Sequence, residues 1–417
     1  MRLILPNGFR FHVECISPNL RIMWIVSSKS HMRYGKSSNR QNPIRSLQTP
    51  ALLGAVLLVG ANAFVLSPIL TNVAQSLDTN PTRIAWALSA FGAGTVISAL
   101  TLASLIDRLP VGSVLGGAAL VLAVAQASSG LSHGWLWLCL SQALAGAATG
   151  VLLPGAYATT AATAPEGRAA ARLGVVLTGW ALSLVLAVPS AAFVADRFGW
   201  QAVYWLLSGL SVGTALGLMM ALRGVRGGTA VRVSPWRALR LKGVAPVLAI
   251  MFTYMTAFYG SFAFYGDGVR QAFDVSAQGA GMFVLAYGLG FGVAGMGLGI
   301  ISPRISRAYI LLVLAAIATS YAGWDLALTT PTAAFVAAVI WGGLNQLGLN
   351  ALVVTLNQRA QDARGAVMGL NSAVTYSAVF AGPLVMGPIN AGCGFPGAAA
   401  VAAIFVLVGL GITWRRV

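Results

Sequence analysis

Nine carboxylates and three histidines are all that this chain offers for acid–base or metal chemistry, and their spacing suits neither. His12, His31 and His133 stand far apart, and Cys15, Cys139 and Cys393 show none of the short spacings that hold a metal or a disulfide framework. No acid pair is set for hydrolysis, and no glycine-rich phosphate loop occurs. The residues therefore predict no enzyme, no metal and no cofactor. Of the acids, Glu14 lies near the N-terminus, while Asp78, Asp107, Glu166, Asp196, Asp274, Asp325 and Asp362 fall in turns or at the ends of apolar runs. Asp267 stands out because it follows Tyr254, Tyr259 and Tyr265 along one apolar run. Two readings of it stay open. A buried carboxylate resists ionisation and can trade protons, which makes Asp267 the candidate proton carrier. Flanked by Gly266 and Gly268 and close to Arg270, it can equally be a solvated loop acid.

A second set is uncharged. Asn62, Gln142, Tyr254, Tyr259, Trp341, Asn345, Gln346 and Asn350 all lie inside long apolar runs, and Trp341 and Asn345, four apart, share one helix face. An unpaired amide in hydrocarbon costs several kcal/mol, so these groups must face a bundle interior or water. They line a solute cavity or bond helix to helix at about 0.6 kcal/mol each. Taken together, the set points to a cavity. Asn371 and Tyr376 form a weaker pair of the same kind.

The elements that must position these groups are membrane helices. The chain is 57% apolar and 8% charged, against about 25% charged in soluble domains. Around Ser141 to Trp200 two apolar blocks flank a turn bearing Glu166, Arg168 and Arg172, and each supplies the ~20 residues that a bilayer requires. Apolar runs predict twelve spans, at 51–74, 84–106, 112–131, 135–160, 173–194, 201–222, 244–265, 277–301, 308–326, 333–355, 365–387 and 397–413. With both termini cytoplasmic, 23 of the 26 Lys and Arg residues fall inside, and Arg83, Arg197 and Arg270 outside, as positive-inside orientation requires. The net charge of +17 thus records orientation, not nucleic-acid binding.

Residues 1–49 carry eight basic residues and no signal-peptide core. They read either as a disordered cytoplasmic tail or as sequence upstream of a start at Met32. Residues 50–222 and 244–417 each hold six spans, and the basic stretch 223–243 links them. An internal repeat supports this division. Ala90-Phe91-Gly92-Ala93-Gly94 matches Ala286-Tyr287-Gly288-Leu289-Gly290 at an offset of 196, and Arg108 falls on Arg304. Near that offset Gly199-Trp200 falls on Gly394-Phe395. The expected fold is an all-α membrane protein of twelve transmembrane helices in two pseudo-symmetric six-helix halves.

These features resemble the major facilitator superfamily, and within it the twelve-helix drug:proton antiporter, or sugar and drug efflux, branch. Pro68 in the first span matches the branch's opening pattern. The turn from Ala103 to Gly112 resembles the family's Gly-x-Leu-x-Asp-Arg-x-Gly-Arg-Lys signature at Asp107 and Arg108 but departs at Ala103, Pro110, Val111 and Gly112. Pro189 is similar to the proline of the antiporter motif, whose glycines are alanines here. The resemblance implies that spans 1, 4, 7 and 10 line the pathway, and that spans 5 and 11 flex at Pro189 and at Gly382-Pro383. It implies efflux of a small organic or drug-like solute across the inner membrane by a monomer, with proton antiport as the energy source. Asn62 and Gln142 occupy positions that the family often charges, leaving Asp267 as the carrier. The alternatives are an uncoupled facilitator or importer of a sugar or amino acid, and a membrane sensor that transports nothing.

Overall fold

A computed structural model describes residues 2–4, 10–12, 47–102, 105, 108–226, 235–360 and 363–416. Residues 1–42 form a separate unit. Its described part is a two-stranded antiparallel ladder of β1 (Arg2–Ile4) and β2 (Arg10–His12), with Leu3 opposite Phe11. The tail's other residues up to 46, and the two readings offered for it, lie outside the described residues. So do 227–234 of the basic linker, of which a short helix, Pro235–Leu239, is described.

In the main unit, polar turn residues start the helices where the apolar runs begin. Asn80 accepts from the Arg83 N–H at the start of α2 (Pro81–Thr101), with proline at the first helical position. Ser276, Ser306 and Thr330 do the same for α8 (Ala277–Met296), α9 (Arg307–Ala322) and α10 (Pro331–Arg359). The first span, α1, is Gln48–Phe64 followed by Leu66–Ser76, bent by 49°. Pro68 has no N–H to offer the Phe64 carbonyl, which is where the ladder breaks. Then come α3 (Val111–Gly130), α4 (Trp135–Ala162), α5 (Ala169–Phe198), α6 (Trp200–Ala221) and α7 (Val244–Phe273). A π-helical turn at Ser183–Ala187 in α5 absorbs the mismatch ahead of Pro189.

The last helix, Arg364–Arg416, is two spans. Gly394 has φ 66° and ψ −175°, which divides α11 (364–393) from α12 (395–416). Gly199, between α5 and α6, has φ 84° and ψ 158° and makes the same turn in the first half. Left-handed backbone of this kind is open to glycine at little cost. The sequence predicted a loop over 388–396. The helix instead runs to the turn, with Pro396 just beyond it, where a missing N–H costs nothing. Among the described residues, nine helices are each long and apolar enough to cross a bilayer. The bent α1, the division at Gly394 and the shorter α9 bring the described spans to twelve.

The repeat is built into the packing. A Cβ on Gly146 would overlap the Phe91 carbonyl, and one on Gly94 would overlap that of Ala143, so α2 and α4 cross with their backbones in contact. Gly342 meets the Tyr287 carbonyl and Gly290 that of Val339 in the same way, between α8 and α10. Each of these four residues in the second half is 196 positions after its counterpart. Small residues allow this approach where lipid gives helices no hydrophobic reason to associate. Large apolar side chains such as Leu100, Val124, Leu140, Leu216, Met296 and Leu312 stand exposed around the perimeter, as a lipid-facing surface requires.

We call the end carrying Arg108, Arg168, Arg304 and Arg307 the basic end, and the other the distal end. At the basic end Arg172 binds Thr49, the Thr163 carbonyl and Gln48, while Gln48 donates to the Ala221 carbonyl. That clips α1, α5 and α6 together with no ion pair.

Candidate functional site

The polar residues singled out in the sequence divide into three places. Asn62 and Gln142 lie inside the first half. The Asn62 amide donates to Gln142 Oε1 at 2.9 Å, and Gln142 donates to Ser129 Oγ at 3.1 Å. Gln126 donates to Asn62 Oδ1 at 3.3 Å, and Ser211 donates to Gln126 Oε1 at 2.7 Å. Helices α1, α3, α4 and α6 thus meet in one buried amide network. Gln126, Ser129 and Ser211 were missed in the sequence because α3 and α6 gave no reason to look there.

Tyr254, Asn345 and Trp341 lie in the second half. Tyr254 donates to the Asn345 carbonyl at 2.7 Å, and the Asn345 amide donates to the Tyr287 hydroxyl at 3.1 Å. Trp341, on the same face as Asn345, is fully buried among Tyr287, Tyr265, Tyr321 and Trp324, with ring centroids 4.8–5.6 Å away. Edge-to-face pairs of this kind add about 0.5–1.5 kcal/mol each. This is a rigid aromatic core. Gln346 Oε1 on α10 and Asn371 Oδ1 on α11 are buried without a hydrogen-bond partner among the described residues. Asn350 donates to Ser302 Oγ at 3.0 Å, towards the basic end.

Between the halves a different set converges. Phe64 of α1 reaches across to stack on Tyr259 of α7, with centroids 6.2 Å apart and planes at 10°, and meets Phe262 edge-on at 5.0 Å. Behind Phe64 sits Trp180 of α5 at 5.9 Å, and its Nε1–H donates to the Tyr157 hydroxyl of α4 at 2.7 Å. Tyr376 of α11 packs edge-on against Phe91 of α2. The phenols of Tyr157, Tyr259 and Tyr376 lie near one another. The hydroxyls of Tyr259 and Tyr376 have no hydrogen-bond partner among the described residues, and each residue keeps 6% exposure. Rings from both halves with two free hydroxyls therefore form a site in a layer where the described residues hold no charged side chain. Phe64, Tyr157 and Trp180 were not picked out in the sequence, since aromatic residues in an apolar span are ordinarily core.

On the distal side the halves are joined. Ser67 donates to the Phe262 carbonyl at 2.5 Å and accepts from the Gly266 N–H at 3.2 Å. Thr71 donates to Asp267 at 2.6 Å, Arg270 bonds Asn72, and Thr82 donates to the Gly387 carbonyl at 3.2 Å. Asp196 accepts from the Ala277 and Gln278 N–H groups. A void of about 10 Å³, room for one water, is lined by Leu66, Ser67, Leu70, Ala85, Leu88 and Phe262. Towards the basic end, by contrast, a Cβ on Gly174 of α5 or Gly369 of α11 would meet nothing.

The solvated-loop reading of Asp267 is corrected here. Its residue is 1% exposed and lies within α7, which runs on to Phe273, and it accepts from Thr71 and from Gln271 at 2.9 Å. Gly266 and Gly268 suggested a turn. They serve instead as contact points, because side chains there would strike the Ser67–Pro68 backbone and Phe395. Trp200 and Tyr204, near the start of α6, are likewise buried and pack edge-on against each other.

Of the expected conformational motif, Asp107 lies outside the described residues and Arg108 is exposed beside Pro110, which pairs with Arg226. Pro189 follows the π turn of α5. The Gly382 backbone lies against that of Gly260 on α7, one residue before Pro383.

Comparison with known proteins adds four findings. The family model for the Major Facilitator Superfamily matches residues 52–383. The MFS-type transporter YwfA of Bacillus subtilis (strain 168) is 26% identical over 388 residues, covering 89% of this chain and 94% of that protein. A chloramphenicol resistance protein of Streptomyces lividans is 24% identical over 242 residues, 57% of this chain and 62% of its own length. Among solved structures, a bacterial homolog of the human lysosomal transporter Spinster, inward-facing and unoccupied, superposes with a TM-score of 0.73 at 14% identity, covering 89% of this chain and 97% of that one. That likeness is one of fold.

Proposed function

Since the chain belongs to the major facilitator superfamily, a family of membrane transporters and not of enzymes, we propose that it exports a small uncharged organic solute carrying an aromatic or apolar ring. The observation that carries this reading is the pair of unbonded hydroxyls, Tyr259 and Tyr376, set among rings from both halves. Ring faces suit flat apolar groups, and free phenols supply directional bonds to a hydroxyl or an amide carbonyl. A charged solute would find no counter-charge there among the described residues. The closed distal seam and the open space beside Gly174 and Gly369 support loading from the basic side. Positive-inside orientation makes that side, and both termini, cytoplasmic, in an inner membrane. The distant chloramphenicol resistance protein is consistent with a solute of this class. One chain carries residues from both halves into the site, so a monomer suffices.

Energy then comes from protons through Asp267, the acid buried where the halves meet. The lack of charge in the central layer, with Asn62 and Gln142 tied into an amide network, favours a second reading, an uncoupled facilitator. The test is flux in proteoliposomes, with and without a pH gradient, for a panel of neutral aromatic solutes. Gradient-driven accumulation lost in Asp267→Asn is expected of an antiporter. Exchange that ignores both the gradient and Asp267 rejects proton coupling, and absence of any flux across the panel rejects the solute class.

A further inference from the structure

The N-terminus of α8 is completed by the other half of the molecule. A helix leaves its first four N–H groups without partners in its own ladder. In α8 the N-cap Ser276 takes two of them, Gly279 with its hydroxyl and Ala280 with its carbonyl. The remaining two go to one carboxylate on α5. Asp196 Oδ1 accepts from Ala277 at 3.2 Å and Oδ2 from Gln278 at 2.7 Å. Both bonds are charge-assisted, and the positive end of the helix dipole favours an anion there. The corresponding start of α2 asks for less, with only the Thr82 N–H left over among the described bonds. Pro81 has no N–H, and Asn80 takes Arg83 with its side chain and Ile84 with its carbonyl. The device is one-sided, present at α5–α8 and lacking an acid at α11–α2.

Opening the distal end must pull Asp196 off α8. Asp267 is buried, but Asp196 is exposed on the distal face, where a proton can reach it without any prior movement. The charged groups around it are Arg270 of α7, which it shares with Asp267, Arg197 next to it on α5, and Asp274 in the turn before α8. From α8 it meets backbone N–H groups, and Asn72 of α1, which Arg270 also bonds, is uncharged. When Asp196 is protonated, one oxygen becomes a donor pointed at two N–H donors, and the attraction to the helix end and to Arg270 is lost.

We propose that Asp196 makes the distal seam a proton-released latch, held shut by the ionised carboxylate and freed by acid in the compartment that it faces. The sign follows directly. The closed state needs the ionised form, so lowering the pH on that side moves the population towards the open seam. The inference rests on the transporter reading only in that the seam must open. Neither the solute nor Asp267 coupling enters it.

The test reads the seam with no solute present. Spin labels at His133→Cys and Thr329→Cys, in a variant with the native cysteines replaced, mark the distal turns of the two halves. Pulsed electron resonance then follows their separation from about pH 7.5 to about pH 4.5, towards the ordinary carboxylate range. The long-distance population is expected to rise, its ratio to the short one moving about tenfold for each unit of differential proton affinity. Asp196→Asn should abolish the pH response and Asp196→Glu should keep it. A response unchanged in Asp196→Asn, or one lost in Asp267→Asn alone, overturns the latch. A protein that titrates as expected but moves no solute keeps the latch and rejects the solute reading.

Discussion

Removing one phenol oxygen at a time separates a solute site from an ordinary aromatic core. Tyr376→Phe and Tyr259→Phe each delete a hydroxyl that has no partner among the described residues. No buried donor or acceptor is orphaned, so folding stability should move by less than about 0.5 kcal/mol. If a bound solute uses that hydroxyl, its affinity should fall by the net worth of one hydrogen bond, about 0.5–1.5 kcal/mol. That is about 2-fold to 12-fold in Kd for each change. Tyr254→Phe is the contrasting case. Its hydroxyl holds the Asn345 carbonyl at 2.7 Å inside the second half, so its loss leaves a buried acceptor short and should cost about 1–3 kcal/mol of stability with little effect on affinity. Melting curves of the purified protein give the first quantity, and quenching of tryptophan emission by neutral aromatic solutes gives the second, with Trp180 beside the site as reporter. Both affinities unchanged, with Tyr254→Phe lowering the affinity instead, would place the solute in the second-half core and refute the reasoning.

Other substitutions test the frame around the site. Gly342→Ala drives a methyl into the Tyr287 carbonyl and should cost about 1–3 kcal/mol by overpacking, as should Gly146→Ala at the matching crossing. Gly213→Ala, where a Cβ meets nothing, should leave melting unchanged or raise it by up to about 1 kcal/mol. Gln126→Ala removes the bonds to Asn62 and Ser211 and should lower stability by roughly 1 kcal/mol at about 0.6 per interhelical bond, with solute affinity unchanged. Arg172→Met should lower the melting temperature because its partners on α1 and the α4–α5 turn lose their donor. Since no carboxylate is involved, raising the salt concentration should not reproduce that loss.

The span count, the order of the halves and the repeat were legible because each rests on composition or on glycine positions, and glycines mark where backbones touch. The site was only partly legible. Amides in apolar helices announce that they need a partner, but not whether that partner is a solute or another helix. Asn62 and Gln142 found Gln126 and Ser129, which come from α3, a helix that nothing in the sequence flagged. Tyr259 was found because it sits beside Tyr254 on a helix that draws attention, whereas Trp180 and Phe64 look like any core ring until the halves are placed together. Asp267 stayed open between a buried carrier and a solvated loop acid because glycines on both sides imitate a turn. Close helix approach and tight turning both demand glycine, and only the neighbouring helix tells them apart.

The repeat also constrains how the molecule can move. Thr71 and Asp267 are 196 residues apart, the repeat offset itself, so each is bonded to its own counterpart in the other half. A bond between counterparts lies on the pseudo-twofold axis. Off the axis, a Cβ on Gly92 of α2 would strike the backbone at Val379–Phe380 of α11, and one on Gly288 of α8 that at Leu184 of α5. Gly92 and Gly288 are again 196 apart. These two contacts lie mid-span, on either side of the axis, one against backbone alone and the other against the Leu184 Cβ and backbone. They can act as pivots, and turning the halves about them would part the distal end while bringing the basic end together. Bonds beyond the pivots must then break, and they are unequal. Thr82 gives a neutral bond at α2–α11, Asp196 a charged one at α5–α8, and Asp267 a buried one on the axis. A symmetric scaffold therefore carries its ionisable groups on one edge and at the centre. It is this departure from the repeat, not the repeat, on which the proposed proton latch rests.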